Sequence, residues 1–232
     1  MGGFATIRVG GNPMRVYVAK PDEVGPYPAV VAMCHGSGLD DFTTDVCEKL
    51  AQAGFVAAAP DVFHRFPEVT DPAVKRERIR DSEIADDLKA CVDLLCDRYG
   101  ARADAIGILG HCMGGRMSFL GAEVNRSIRA CVTYYGGNMF KSWGDGPTPY
   151  SMLDRITCPV LGFFGMDDTN PSPADADAIE AALKKAGVRY TFHRYAGAGH
   201  AFQNFMRDEA YRPEATRLSW PLTVEFLSAT LM

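Results

Sequence analysis

Short, continuously apolar runs, such as residues 29–34, alternate along this chain with stretches whose apolar residues fall three and four apart. A run that is apolar at every position suits a strand buried on both faces, and the intervening spacing suits helices that cover those faces. This alternation constrains the chain to an α/β fold, with a mostly parallel central sheet and helices on both sides. The N-terminus reads differently. Residues 5–9 and 14–19 alternate apolar and polar around Gly10-Gly11-Asn12-Pro13, as expected of an antiparallel hairpin at one edge.

Further strands are expected at residues 29–34, 55–59, 105–109, 130–135 and 159–164, with the last at 188–192. Phe42, Val46 and Leu50 define a helix stopped by Gly54, and Ile84, Leu88, Cys91, Val92 and Leu95 define a longer one that closes near Gly100. Ser172-Pro173-Ala174-Asp175 is a helix start, with serine as cap and proline in the first turn. That helix presents Ile179, Ala182, Leu183 and Ala186 inward and ends at Gly187, and a closing helix over 214–231 carries Pro221. The 232 residues show no repeat, linker or low-complexity stretch, so one domain over 1–232 is expected.

The bulk properties exclude several classes of function. A net charge of −5 leaves no basic patch to track nucleic acid. No run of apolar residues is long enough to span a membrane, and no charged start precedes an apolar stretch, so a cytoplasmic protein is expected. The seven cysteines are odd in number, irregularly spaced and set within apolar runs, as buried free thiols in a reducing compartment would be. Cysteines and histidines lack metal-ligand spacing, and neither a metal nor an organic cofactor is expected. No obligate protein partner is evident.

The richest segment is Ile106-Gly107-Ile108-Leu109-Gly110-His111-Cys112-Met113-Gly114-Gly115. A buried strand runs straight into a helix through Gly-x-Cys-x-Gly, the pattern of a nucleophile elbow with cysteine in the serine position. Glycines are needed there because the nucleophile's backbone is strained and a side chain two positions away would collide with neighbouring elements. The turn lifts the sulfur above the sheet at a helix N-terminus, where thiolate and developing oxyanion are both favoured. Partners follow in the order nucleophile, acid, histidine. A buried strand ends in Gly165-Met166-Asp167-Asp168, and the loop Gly197-Ala198-Gly199-His200 presents one histidine. From the residues alone, Asp167 and Asp168 compete for the acid role. Of the other histidines, His64 and His193 read as surface or loop residues. His111 reads as packing, because consecutive side chains diverge on a tight elbow. His35 follows a buried strand in His35-Gly36-Ser37-Gly38, where an oxyanion-hole loop belongs, and is expected to line the site.

With these motifs in place, together with Pro60-Asp61-Val62-Phe63 and Gly199-His200-Ala201-Phe202, the chain resembles the dienelactone hydrolase family of α/β-hydrolases over nearly its whole length. The resemblance implies a catalytic triad of Cys112, Asp168 and His200, with oxyanion donors at the backbone N–H groups of Met113 and Gly36. It favours Asp168 over Asp167, because the family's acid lies three residues after the glycine. It implies hydrolysis of a small ester or lactone through an acyl-thioester. It also implies two departures: His35 stands where founding members have a glutamate that helps control the resting thiol, and Asn204 stands where one of two carboxylate-binding arginines is found. The other arginine falls within Lys75-Arg76-Glu77-Arg78-Ile79-Arg80, with Arg80 taken as the candidate. The rival reading is a non-catalytic α/β-hydrolase-like ligand-binding protein or thiol sensor that uses the same pocket.

Overall fold

A two-residue turn, Gly10-Gly11, joins β1 (Gly3–Val9) to β2 (Asn12–Ala19), and both glycines take the positive φ, 56° and 83°, that a hairpin turn of this hand requires. The computed structural model describes residues 2–232. The hairpin adds to the edge of one eight-stranded sheet, because β2 pairs antiparallel with β4 (Val56–Pro60). From there the sheet is parallel, through β3 (Tyr27–Met33), β5 (Ala101–His111), β6 (Ile128–Tyr134), β7 (Val160–Gly165) and β8 (Tyr190–Tyr195). The strand order is β1-β2-β4-β3-β5-β6-β7-β8. The parallel strands therefore deliver their C-terminal ends to one edge, where ligand and catalytic groups gather in sheets of this type.

Two apolar layers hold helices to the sheet. On one face, α3 (Asp81–Tyr99), α4 (Met113–Val124) and α5 (Pro173–Ala186) bury Ile84, Leu88, Met117, Ile179 and Leu183 against strand residues such as Val31, Ile106 and Ile108. On the other, α1 (Asp41–Gln52) and α6 (Pro213–Leu231) bury Phe42, Val46, Leu50, Leu227 and Leu231 against Val30, Leu109 and Val132. Each such side chain, fully buried, contributes roughly 1.5–3 kcal/mol of transfer free energy. Alternation along β5 sends Ile106 and Ile108 to one layer and Ala105 and Leu109 to the other.

The expected α/β architecture, the edge hairpin and the main helices are all present, with shifted boundaries. Gly100 and Gly187 end α3 and α5 in the left-handed conformation, with φ of 73° and 72°. Ser172 caps α5 in a reciprocal box with Asp175. Two elements were not anticipated. The short helix α2 (Pro72–Arg78) buries none of its side chains, so it has no apolar periodicity to betray it, although Asp71 caps it and Pro72 opens it. A 3-10 segment over Pro149–Arg155 is likewise too short for a periodic signal. His64 corrects the sequence reading. It is buried, not a surface residue, because Asp87 on α3 receives both its Nε2 at 3.0 Å and the Arg65 guanidinium at 2.8 Å. His193 lies half-buried in β8, stacked on Phe163.

Candidate active site

β5 passes into α4 at Cys112, whose backbone sits at φ 57° and ψ −118°. Such a conformation is costly for a residue with a Cβ, on the order of 1–3 kcal/mol, and survives only where the surroundings over-determine it. Here the Cys112 N–H donates to the Tyr134 carbonyl of β6, and the Arg116 N–H donates back to the Cys112 carbonyl. The flanking glycines have no room for side chains. A Cβ at Gly110 would stand 2.1 Å from the Gly114 carbonyl oxygen, and one at Gly114 would stand 2.1 Å from the Met33 carbonyl oxygen on β3.

The acid and the base arrive on two turns that are stitched together. The Met166 and Asp167 N–H groups donate to the carbonyls of Tyr195 and Ala198, and a Cβ at Gly165 would meet the Ala198 carbonyl oxygen at 2.3 Å. This close approach sets Asp168 beside His200. Asp168 is buried, with one carboxylate oxygen 2.9 Å from His200 Nδ1 and the other accepting the Asn170 N–H at 2.9 Å. Asp167 is exposed, and the His200 imidazole pairs with Asp168 instead. With Nδ1 occupied by Asp168, the other imidazole nitrogen is left for Cys112. Tyr135, itself at φ 41°, presents its ring edge-on to the imidazole with centroids 5.2 Å apart.

Cys112 differs electrostatically from every other cysteine in the chain. Burial pushes the thiols of Cys34, Cys47, Cys91, Cys96, Cys131 and Cys158 up. Burial also opposes ionisation of Cys112, but the hydrogen bond and charge of His200 and the N–H groups of Met113 and Gly36 outweigh it, so its pKa is lowered. In turn, burial disfavours the His200 cation, and the hydrogen bonds and charges of Asp168 and Cys112 overcome that and raise its pKa. The pair therefore favours thiolate and imidazolium. His111 is held neutral instead. Burial drives its pKa down to about 3, its Nε2 donates to Gln203 Oε1 at 2.5 Å, and its ring stacks on Tyr134.

A cleft of about 730 Å³ opens over Cys112 and His200. Arg76 and Arg80 line it from the α2 side, and Asn138, Lys141 and Trp143 line it from the loop after β6. The guanidinium of Arg80, the candidate from sequence, donates to the carbonyls of Glu77, Arg78 and Ile79. His35 and Asn204 do not reach the cleft wall. The His35 ring is drawn 2.6 Å from Asp40, the cap of α1, and Asn204 is buried with its Oδ1 accepting the Met206 N–H.

Sequence reading missed the loop after β6. Its anchor is Arg116, fully buried one turn along α4 from Cys112. Arg116 makes a bidentate pair with Asp81, donates to the carbonyls of Asn138 and Lys141, and lies 3.6 Å over the Trp143 ring. The glycine pair Gly136-Gly137 directly after a buried strand was the available signal. Among the described residues, no group of three or more His, Cys, Asp or Glu is arranged to hold a metal, and no helix is long and apolar enough to cross a membrane.

A family model described as the dienelactone hydrolase family matches residues 14–231. A Synechocystis protein provisionally named a carboxymethylenebutenolidase is 31% identical, the match covering 88% of this chain and 87% of that one. A Bradyrhizobium protein provisionally named a 2-oxo-3-(5-oxofuran-2-ylidene)propanoate lactonase is 32% identical over 97% of this chain and 92% of its own. The crystal structure of a Klebsiella pneumoniae protein provisionally named a dienelactone hydrolase superimposes with a TM-score of 0.91, at 26% identity and 98% coverage of both chains. The chain belongs to the dienelactone hydrolase family of the α/β-hydrolase superfamily.

Proposed function

We propose that this protein hydrolyses a small ester or lactone by acyl transfer to Cys112, with His200 as proton carrier and Asp168 as its orienting acid. Family membership makes it a hydrolase of carboxylic ester bonds, and the mechanism is the part proposed. One observation supports it most: Cys112 sits at φ 57° on the strand–helix turn and faces the same cleft as His200, while Asp168 holds the far side of the imidazole at 2.9 Å.

The thiolate attacks the carbonyl carbon, and the carbonyl oxygen becomes an oxyanion that accepts from the Gly36 and Met113 N–H groups. Each well-placed donor of this kind is commonly worth roughly 10²–10³ in rate. As the tetrahedral intermediate collapses, the carbon–oxygen bond to the leaving group breaks, and the His200 proton passes to that oxygen. In a lactone the leaving oxygen stays attached, so the thioester carries its own alcohol. Water then attacks the thioester, giving its proton to His200, and the carboxylic acid leaves as the thiolate re-forms. Asp168 keeps Nδ1 protonated throughout and stabilises the imidazolium. The cleft wall mixes Arg76, Arg80 and Lys141 with Glu77 and Asp145, and both arginines are engaged by backbone carbonyls. Because Nη1 of each arginine is taken by backbone carbonyls, neither guanidinium offers its end-on pair of nitrogens undivided, and neutral substrates are proposed to fit as well as anionic ones.

The test is turnover of a neutral activated ester, with acid-quenched mass spectrometry. The expected result is an acyl adduct on Cys112 and loss of turnover in Cys112→Ala with the fold intact. Wild-type turnover in Cys112→Ala would remove the sulfur from the mechanism.

A further inference from the structure

We infer that Arg76, an exposed arginine on α2, is a positioning residue that fixes the Gly36 amide of the oxyanion hole by gripping the Gly36 carbonyl. The inference rests on the mechanism proposed above, and deepens it.

Gly36 lies in a tight turn closed by the Gly38 N–H donating to the His35 carbonyl at 2.8 Å. That bond holds the carbonyl end of the peptide whose N–H belongs to Gly36 and polarises that N–H, but the direction of the N–H still depends on the Gly36 torsions, and so on how the following peptide is held. The next peptide is not fixed by the turn. Gly36 has no side chain to pack, and a glycine keeps more backbone freedom than any other residue. Its carbonyl is held from outside, by Arg76 Nη1 at 2.9 Å, across forty residues of sequence. The arginine also packs against the glycine: a Cβ at Gly36 would lie 3.2 Å from Arg76 Cδ and 3.4 Å from Nη1. Gly36 is therefore held at its C=O by the guanidinium, and its N–H is one of the groups that lower the Cys112 pKa.

The other end of the loop is pinned separately. His35 Nε2 sits 2.6 Å from Asp40, which also accepts the Thr43 N–H at the start of α1. With His35 tied to α1 and Gly36 tied to α2, the hole is assembled before substrate arrives, and such preorganisation is what makes an oxyanion donor effective. It also explains a surface helix with no buried side chain: α2 carries Arg76 to the loop.

The experiment compares Arg76→Met and Arg76→Lys with the wild type on a neutral activated ester, so that no substrate carboxylate is available to the arginine. Both variants are at an exposed position. The expected result for methionine is a fall in kcat of about tenfold, part of what one donor supplies, with KM nearly unchanged. The pH midpoint for Cys112 alkylation by iodoacetamide should rise as well, because the Gly36 N–H no longer steadies the thiolate. Lysine keeps a donor and should recover most of kcat. A kcat for Arg76→Met within about twofold of the wild type, or a loss confined to KM, overturns the inference. Cys112→Ala is run alongside. If it is inactive while Arg76→Met behaves as wild type, only the role of Arg76 fails; if it is active, the mechanism beneath it fails too.

Discussion

Glu123 lies on α4, eleven residues and about 16 Å along the helix from Cys112. It is 3% exposed, and neither carboxylate oxygen has a hydrogen-bond partner. Burial raises its pKa from 4.5 to about 9, against the opposing pull of Arg116 and with a push from Asp81. The native state therefore keeps a proton that the unfolded chain releases. A raised folded pKa means that stability is fully present below 4.5 and is lost as pH rises toward 9. Between pH 5 and pH 8 the loss is three units at about 1.36 kcal/mol each, or about 4 kcal/mol. Glu123→Gln removes the titrating group and keeps the size. Its stability advantage over the wild type should grow by about 4 kcal/mol across that interval, because all other titrations cancel in the difference. In a chain of this length that corresponds to a relative Tm gain of about 8–16 °C. Urea unfolding of both proteins at unit pH steps, extrapolated to zero denaturant, measures it. Ester turnover should be unchanged, since Glu123 touches nothing in the cleft. A difference that stays constant within about 1 kcal/mol from pH 5 to pH 8 would show that native Glu123 is already ionised and would refute the reasoning.

Asp168→Asn should cut kcat by about 10²–10⁴ by leaving His200 without its anionic partner, whereas exposed Asp167→Asn should stay within about twofold; the reverse ranking in parallel kinetics would transfer the acid role. Gly114→Ala must push the elbow away from β3, since its Cβ would stand 2.1 Å from the Met33 oxygen. It should lower stability by about 3 kcal/mol and depress kcat, and a variant with wild-type unfolding would contradict the packing. For substrate charge, kcat/KM for a neutral activated ester and for an anionic lactone of similar size should agree within about tenfold, the worth of one charged hydrogen bond. A preference of several hundredfold for the anion would mean that Arg80 or Lys141 does face the substrate.

The architecture was legible because it depends on local pattern. Continuous apolar runs, helical spacing and the capping residues Ser172, Gly100 and Gly187 each act within a few residues of themselves. The elbow was legible for the same reason, since the glycines at 110 and 114 are required by contacts within one strand–helix turn and its neighbour β3. Where local signal was absent, reading failed: α2 has no apolar face, and His64, which does lie in a turn, gave no sign that it is buried, because its partner Asp87 lies on α3.

Sequence alone determined the alternating elements, the hairpin, the Gly-x-Cys-x-Gly turn and the order of Cys112, an acidic pair and His200. The residues alone left Asp167 and Asp168 open and the resemblance favoured Asp168; the tertiary structure pairs Asp168 with His200, because the choice depends on how the Gly165 turn docks on Ala198. It likewise decided that His35 turns to Asp40, that Asn204 is buried away from the cleft, and that Arg76 reaches Gly36. These contacts join residues far apart in the chain. Local preferences set each backbone segment, but the direction of a side chain at a crossing of two segments is set by the packing that brings them together.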